Sequence, residues 1–308
     1  MSHLVIGAGP VGATIATQLA DAGHHVRILT RSGGGPTHPL VERRSGSAAD
    51  PVTLAEAVDG VSAVFDCMHP SRYDAAAWRA ELPAAEQAVL AAAGRVGAVV
   101  VFPESLYAYG RVSGPITEDT PRDADFGKPG VRTALLAARA ASTTATVSVA
   151  ASDFYGPRVR NAHAGERMLA AALAGRRLQV LGDPDAPHSW TYVPDLAAAM
   201  ILAAGEEGCW GSVLHAPTAE PVSQRRLAQA YADAAGAPPA RVSAIPGWAL
   251  RAIGVLHRPT RELAEMSFQF AAPFVLDSTA SQARLGLAPT SLEDGVRATV
   301  AWWQQAHA

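Results

Sequence analysis

Apolar and polar positions in the first half of the chain predict strands that alternate with helices. His3-Leu4-Val5-Ile6 is a short apolar run, as a strand buried on both faces requires. Gly7 to Gly12 reads as a turn, Ala13 to Ala22 as a helix that Gly23 ends, and His25 to Thr30 as a second strand. Ser32 to Pro39 is a loop rich in glycine and proline. Further helices are predicted over Leu54–Val58, Ala75–Ala93, Arg132–Ala141 and Ala164–Ala174, and further strands over Val61–Asp66, Val96–Phe102 and Thr146–Ala150. This alternation predicts an α/β fold: a Rossmann-type doubly wound parallel sheet with a smaller C-terminal substrate lobe.

Beyond about Gly156 the pattern loosens, and short strands such as Leu178–Val180 mix with helices. Residues 1–156 are therefore expected to form mainly the dinucleotide-binding part. Residues 157–308 are expected to form mainly the substrate lobe, with some strands and helices returning to the first part. Trp302 and Trp303 are expected to pack a terminal helix, and Phe268 to Phe274 to pack a core or line an apolar pocket.

The first turn carries the clearest chemistry. Gly7-Ala8-Gly9-Pro10-Val11-Gly12 follows an apolar strand and opens an alanine-rich helix. In that context Gly7 permits the tight turn, Gly9 the approach of a pyrophosphate, and Gly12 close helix–strand packing. The helix that starts at Pro10 presents free N–H groups, from Val11 onward, to the anion. A carboxylate at the end of the second strand would favour NAD. Arg31 and Ser32 stand there instead, so NADP is expected and NAD is the alternative.

Composition narrows the remaining classes. The net charge of −3 gives no reason to expect nucleic acid or an anionic membrane as partner. No apolar run reaches the ~20 residues of a membrane helix, and the N-terminus enters a strand with no basic leader, so a cytoplasmic protein is expected. Cys67 and Cys209 lack metal spacing, and no His, Asp and Glu set has it either, so no metal is expected. Ser105 sits in no G-x-S-x-G elbow.

Several segments resemble the extended short-chain dehydrogenase/reductase family, the group of NAD-dependent epimerases and dehydratases. They are the glycine loop, Gly46–Leu54, Ser105–Gly110 with Pro115 and Glu118–Pro121, Ser152–Pro157, and Thr191–Leu196. The resemblance implies a nicotinamide cofactor, a small-molecule substrate and a homodimer formed through the helices at 75–93 and 132–141. It implies that Ser105 orients the reacting oxygen, that His69 lies along the cofactor, and that Asp153, Tyr155 and His188 line the substrate side.

The family pairs a catalytic tyrosine with a lysine four residues later, whose ammonium favours the phenolate. Lys128 is the only lysine here, and position 124 is alanine, so the chain has no such pair. In one register Phe126 and Gly130 occupy the two positions; in the preferred one Lys128 and Arg132 do, with Arg132 beside the cofactor. Lys128 or Tyr107 is then the substitute proton donor, with Asp153 or Tyr155 approaching from the other side. Three functions follow: an NADP-dependent oxidoreductase on a small carbonyl or alcohol, an epimerase or dehydratase without net redox, and a catalytically silent NADP sensor or interaction protein.

Overall fold

The computed structural model describes residues 2–245 and 257–307. Its centre is a parallel sheet of seven strands. In chain order these are β1 (Ser2–Ile6), β2 (His25–Thr30), β3 (Val41–Ser45), β4 (Ala63–Asp66), β5 (Val99–Ser105), β6 (Thr146–Ala151) and β10 (Val213–His215). Their spatial order is β10-β6-β5-β4-β1-β2-β3. The winding therefore reverses between β1 and β4, and the carboxyl ends of those two strands flank the crevice where doubly wound sheets bind ligands.

Successive residues of each central strand enter different cores, as a pleat with both faces covered demands. Val5, Ile28, Phe65, Val101 and Val149 pack under α1 (Pro10–Asp21) and α6 (Val193–Gly205). Leu4, Ile6, Leu29, Val64, Val100 and Phe102 pack under α2 (Pro51–Val58) and α3 (Ala75–Arg95). The helix α4 (Gly127–Ala140) lies beside α3, joined by Trp78, Leu82, Val131 and Leu135.

A second core lies in the C-terminal half. It gathers Tyr155, Met168, Leu178, Leu227, Tyr231 and Val296 from β7 (Asp153–Tyr155), α5 (Glu166–Leu173), β8 (Arg177–Leu181), α7 (Gln224–Ala234) and α10 (Leu292–Ala306). Two parallel pairs support it: β7 with β9 (Trp190–Tyr192), and β8 with β11 (Arg241–Ile245). Two further helices, α8 (Arg258–Met266) and α9 (Thr279–Leu285), complete the described part. Residues 246–256 of the expected substrate lobe lie outside the described residues.

Two elements depart from the sequence pattern. The edge strand β3 is Val-Glu-Arg-Arg-Ser, too polar to read as a strand. Its edge position accounts for that, since charged side chains blunt an open edge. Helix α4 begins at Gly127, five residues before Arg132. Pro129 is its third residue, where the missing N–H forfeits no helical bond.

Candidate functional site

The glycine loop sits at the crevice. Gly7 has a φ of +95°, and a Cβ there would stand 2.7 Å from the carbonyl oxygen of Cys67 at the end of β4. A Cβ on Gly12 would stand 2.1 Å from the Gly7 carbonyl oxygen. Both glycines are fixed by close backbone approach. Gly9 differs: nothing lies within 4 Å of the place its Cβ would occupy. It is also the N-cap of α1, and no side chain caps that end. Open space over Gly9 and free amides at Val11 and Gly12 fit a pyrophosphate.

Arg31 and Ser32 are exposed beyond β2. In the Gly46–Leu54 segment, Asp50 caps α2, accepting from the amides of Val52 and Thr53 at 3.4 and 3.1 Å. His69 is exposed after β4, with Nδ1 2.9 Å from the Pro70 carbonyl oxygen.

Ser105, the last residue of β5, borders the same crevice. Its amide and hydroxyl lie 2.8 and 3.3 Å from Oε1 of Glu104. Below it lies a buried ionic cluster that sequence reasoning missed. Arg139 donates twice to Glu86, at 2.8 and 2.7 Å, and once each to Glu104 at 2.7 Å and Ser148 at 3.1 Å. Arg132 approaches Glu104 at 3.4 Å and stacks over Trp78, 4.9 Å from the ring centroid. Asp66 closes the cluster from the end of β4. One of its oxygens accepts the Met68 amide at 3.2 Å, and the other has no partner. Burial, helped by the neighbouring Glu86 charge, pushes the Asp66 carboxyl up to about 7. The protonated form also leaves the cluster neutral, two carboxylates against two guanidinium groups. A cavity of about 10 Å3 between Asp66, Glu86, Arg132 and Arg139 has room for about one water.

Tyr107, two residues past Ser105, is half-buried and stacks on Trp78, with centroids 6.0 Å apart and planes at 8°. Its hydroxyl is 2.6 Å from that of Tyr73, another residue the sequence did not flag. Burial and then the charge of Asp153 push the Tyr107 phenol up to about 12, against the Tyr73 hydrogen bond, so it keeps its proton at neutral pH.

Lys128 is held by α8. The ammonium is fully buried and donates to Oε2 of Glu262 at 2.6 Å, to the Glu262 carbonyl at 3.1 Å and to Oε2 of Glu265 at 2.5 Å. With these three bonds its protons are committed to α8, and it is not a free donor. Gly127 makes this possible: Glu265 fills the place its Cβ would take. Gly130 is likewise tight, since a Cβ there would stand 2.8 Å from the Asp125 carbonyl carbon.

Asp153 and His188 come together, and Tyr155 turns away. Oδ2 of Asp153 is 2.9 Å from Nε2 of His188, whose Nδ1 is 3.2 Å from the Gln269 carbonyl oxygen. Burial is the largest influence on the Asp153 carboxyl and works to raise it, but the bond to His188 together with the His188 and His163 charges holds it below the usual range. His188 is 2% exposed between Trp190, Phe270 and Phe274. It backs Asp153. Tyr155 is 1% exposed in the second core, its ring against Gly295 of α10. Phe270 and Phe274 are core residues.

Two other motif residues hold the fold. The Tyr109 hydroxyl is 2.7 Å from Nε2 of His215, and Glu118 accepts the amide of Ser281 at 3.0 Å. They fasten the segment after β5 to β10 and α9. Among the described residues no His, Cys, Asp and Glu group could hold a metal ion, and no helix is long and apolar enough to cross a membrane.

Known proteins share this architecture. A UDP-glucose 4-epimerase from Thermotoga maritima, solved with UDP-glucose, superposes with a TM-score of 0.77 at 17% identity, covering 100% of both chains. The enzyme WbmH of Bordetella bronchiseptica, solved with NAD+, gives 0.77 at 18% identity over 100% of this chain and 99% of that one. A 3 beta-hydroxysteroid dehydrogenase/Delta 5-->4-isomerase of Mycobacterium tuberculosis is 43% identical over 60 residues, which are 19% of this chain and 16% of that relative. The match thus spans less than a fifth of the curated relative. The NAD dependent epimerase/dehydratase family matches residues 3–209. The chain belongs to the NAD dependent epimerase/dehydratase family.

Proposed function

We propose that the chain is an NADP-dependent oxidoreductase acting on a small carbonyl or alcohol, with Ser105 holding the reacting oxygen and Tyr107 exchanging its proton. The observation that carries this reading is the placement of a serine hydroxyl and a protonated phenol two residues apart on one turn at the crevice. The cofactor supplies hydride chemistry when bound. Gly7, Gly9, Pro10, Val11 and Gly12 would hold its pyrophosphate, and Arg31 with Ser32 the 2′-phosphate.

Tyr107 is preferred over Lys128 because the lysine protons are tied to Glu262 and Glu265. A phenol that retains its proton at neutral pH suits donation to a forming alkoxide. Tyr73 bonds the Tyr107 hydroxyl and fixes its direction. Asp153 favours a second reading, an epimerase or dehydratase. Its ionised carboxylate lies in electrostatic reach of Tyr107 and Tyr73, which supplies a base beside the acid. Family membership supports either reading.

The test is to titrate NADPH and NADH and follow reduced-cofactor absorbance across small ketones, aldehydes and alcohols. The first reading expects tighter NADPH binding and consumption with at least one carbonyl. Equal affinities would sink the NADP preference. A purified protein that retains its cofactor and shows no net consumption favours the second reading.

A further inference from the structure

We propose that Glu104 is a positioning residue: its carboxylate claims the Ser105 hydroxyl proton and so makes Ser105 an acceptor that selects the alcohol form of the substrate over the ketone. The inference rests on the Proposed function, in which Ser105 holds the reacting oxygen.

A carboxylate only accepts hydrogen bonds. The 3.3 Å contact between Ser105 Oγ and Glu104 Oε1 must therefore carry the serine's own proton. That contact is long for an O–H···O bond, as such bonds are before substrate closes the site. Ser105 Oγ also takes the Tyr107 amide, at 3.5 Å. What remains on Oγ is acceptor capacity.

Glu104 cannot easily turn away. It is 2% exposed, its Oε2 is held by Arg139 at 2.7 Å, and its Oε1 also takes the Ser105 amide at 2.8 Å. Arg139 is in turn clamped by both oxygens of Glu86. The carboxylate is fixed from below by charge and from above by backbone.

The consequence falls on the substrate oxygen. An alcohol donates to Ser105 and accepts from Tyr107, so both partners are satisfied. A ketone oxygen can only accept and finds one donor, Tyr107. The alcohol gains one hydrogen bond over the ketone, a preference of about tenfold.

The experiment is a double-mutant cycle on Glu104→Gln and Ser105→Ala. For each protein the dissociation constants of cyclohexanol and cyclohexanone are measured against the NADP-loaded enzyme, along with kcat/KM for the best alcohol of the panel. The expected wild-type preference for cyclohexanol is about tenfold. It falls toward unity in E104Q and in S105A, and E104Q adds nothing in the S105A background. Glu104→Asp keeps the charge for Arg139 but withdraws the carboxylate from Oγ; it should lose the preference too, and it decides the matter should E104Q not fold. Unchanged preference in E104Q or E104D, equal affinities in the wild type, or strictly additive losses would overturn the inference. An unaltered kcat/KM in S105A would instead sink the Proposed function.

Discussion

Arg139→Met should cost the protein about 3–5 kcal/mol, the usual loss when one partner of a buried ion pair is removed. The structure puts Arg139 at the upper part of that range. Its guanidinium makes four hydrogen bonds and lies 3.9 Å over the ring of Phe102. Methionine fills much of the volume but leaves Glu86 and Glu104 buried, with only Arg132 near enough to balance Glu104. Two carboxylates then face one guanidinium. Urea unfolding at neutral pH reads the loss as a lower midpoint with an unchanged slope. The sign of a second variant sharpens the test. Adding Glu86→Gln removes one stranded charge, so the double variant should be more stable than R139M alone. A loss below about 1 kcal/mol in R139M, the size of a surface pair, would refute the reasoning, as would a double variant less stable than the single.

Four more outcomes follow from the same geometry. Asp66 has a carboxyl raised from 3.8 to about 7, so the native state binds the extra proton across that window and loses stability as pH rises through it. The loss amounts to about 4 kcal/mol once complete above about pH 7. Asp66→Asn should flatten that slope and raise the urea midpoint at about pH 8 relative to about pH 5; a slope like that of the wild type would count against it. Gly9→Ala should weaken cofactor binding about tenfold, the worth of about one hydrogen bond, with an unchanged melting temperature. Gly12→Ala should also lose about 1–3 kcal/mol of stability, because its Cβ meets the Gly7 carbonyl. Lys128→Met should lower the unfolding free energy by about 3 kcal/mol while the folded fraction keeps its hydride-transfer rate.

The sheet and the glycine loop were legible because they rest on local patterns. Apolar runs such as Leu4–Ile6 face cores on both sides, and Gly7 and Gly12 are demanded by contacts close to them or to the neighbouring strand. The start of α4 was obscured by Pro129 and Gly130, which read as breakers although the first helical turn accepts them. The polar strand β3 was hidden because an edge suppresses the apolar signal. The chemistry of the site was less legible because its partners are distant in sequence. Lys128 meets carboxylates 134 and 137 positions away, and Asp153 meets a histidine 35 positions away. Motif likeness placed Tyr155 on the substrate side, whereas packing against Gly295 buries it in the second core. Asp66 did leave a trace, since an acid ending the buried run Ala-Val-Phe-Asp is unusual.

Single-turnover hydride transfer from bound NADPH in Tyr107→Phe tests the central claim most directly. With the phenol as proton donor, the rate should fall by about 10²–10⁴-fold while NADPH affinity stays at the wild-type value. A rate within about threefold of wild type, well under the contribution of a general acid, would contradict the assignment.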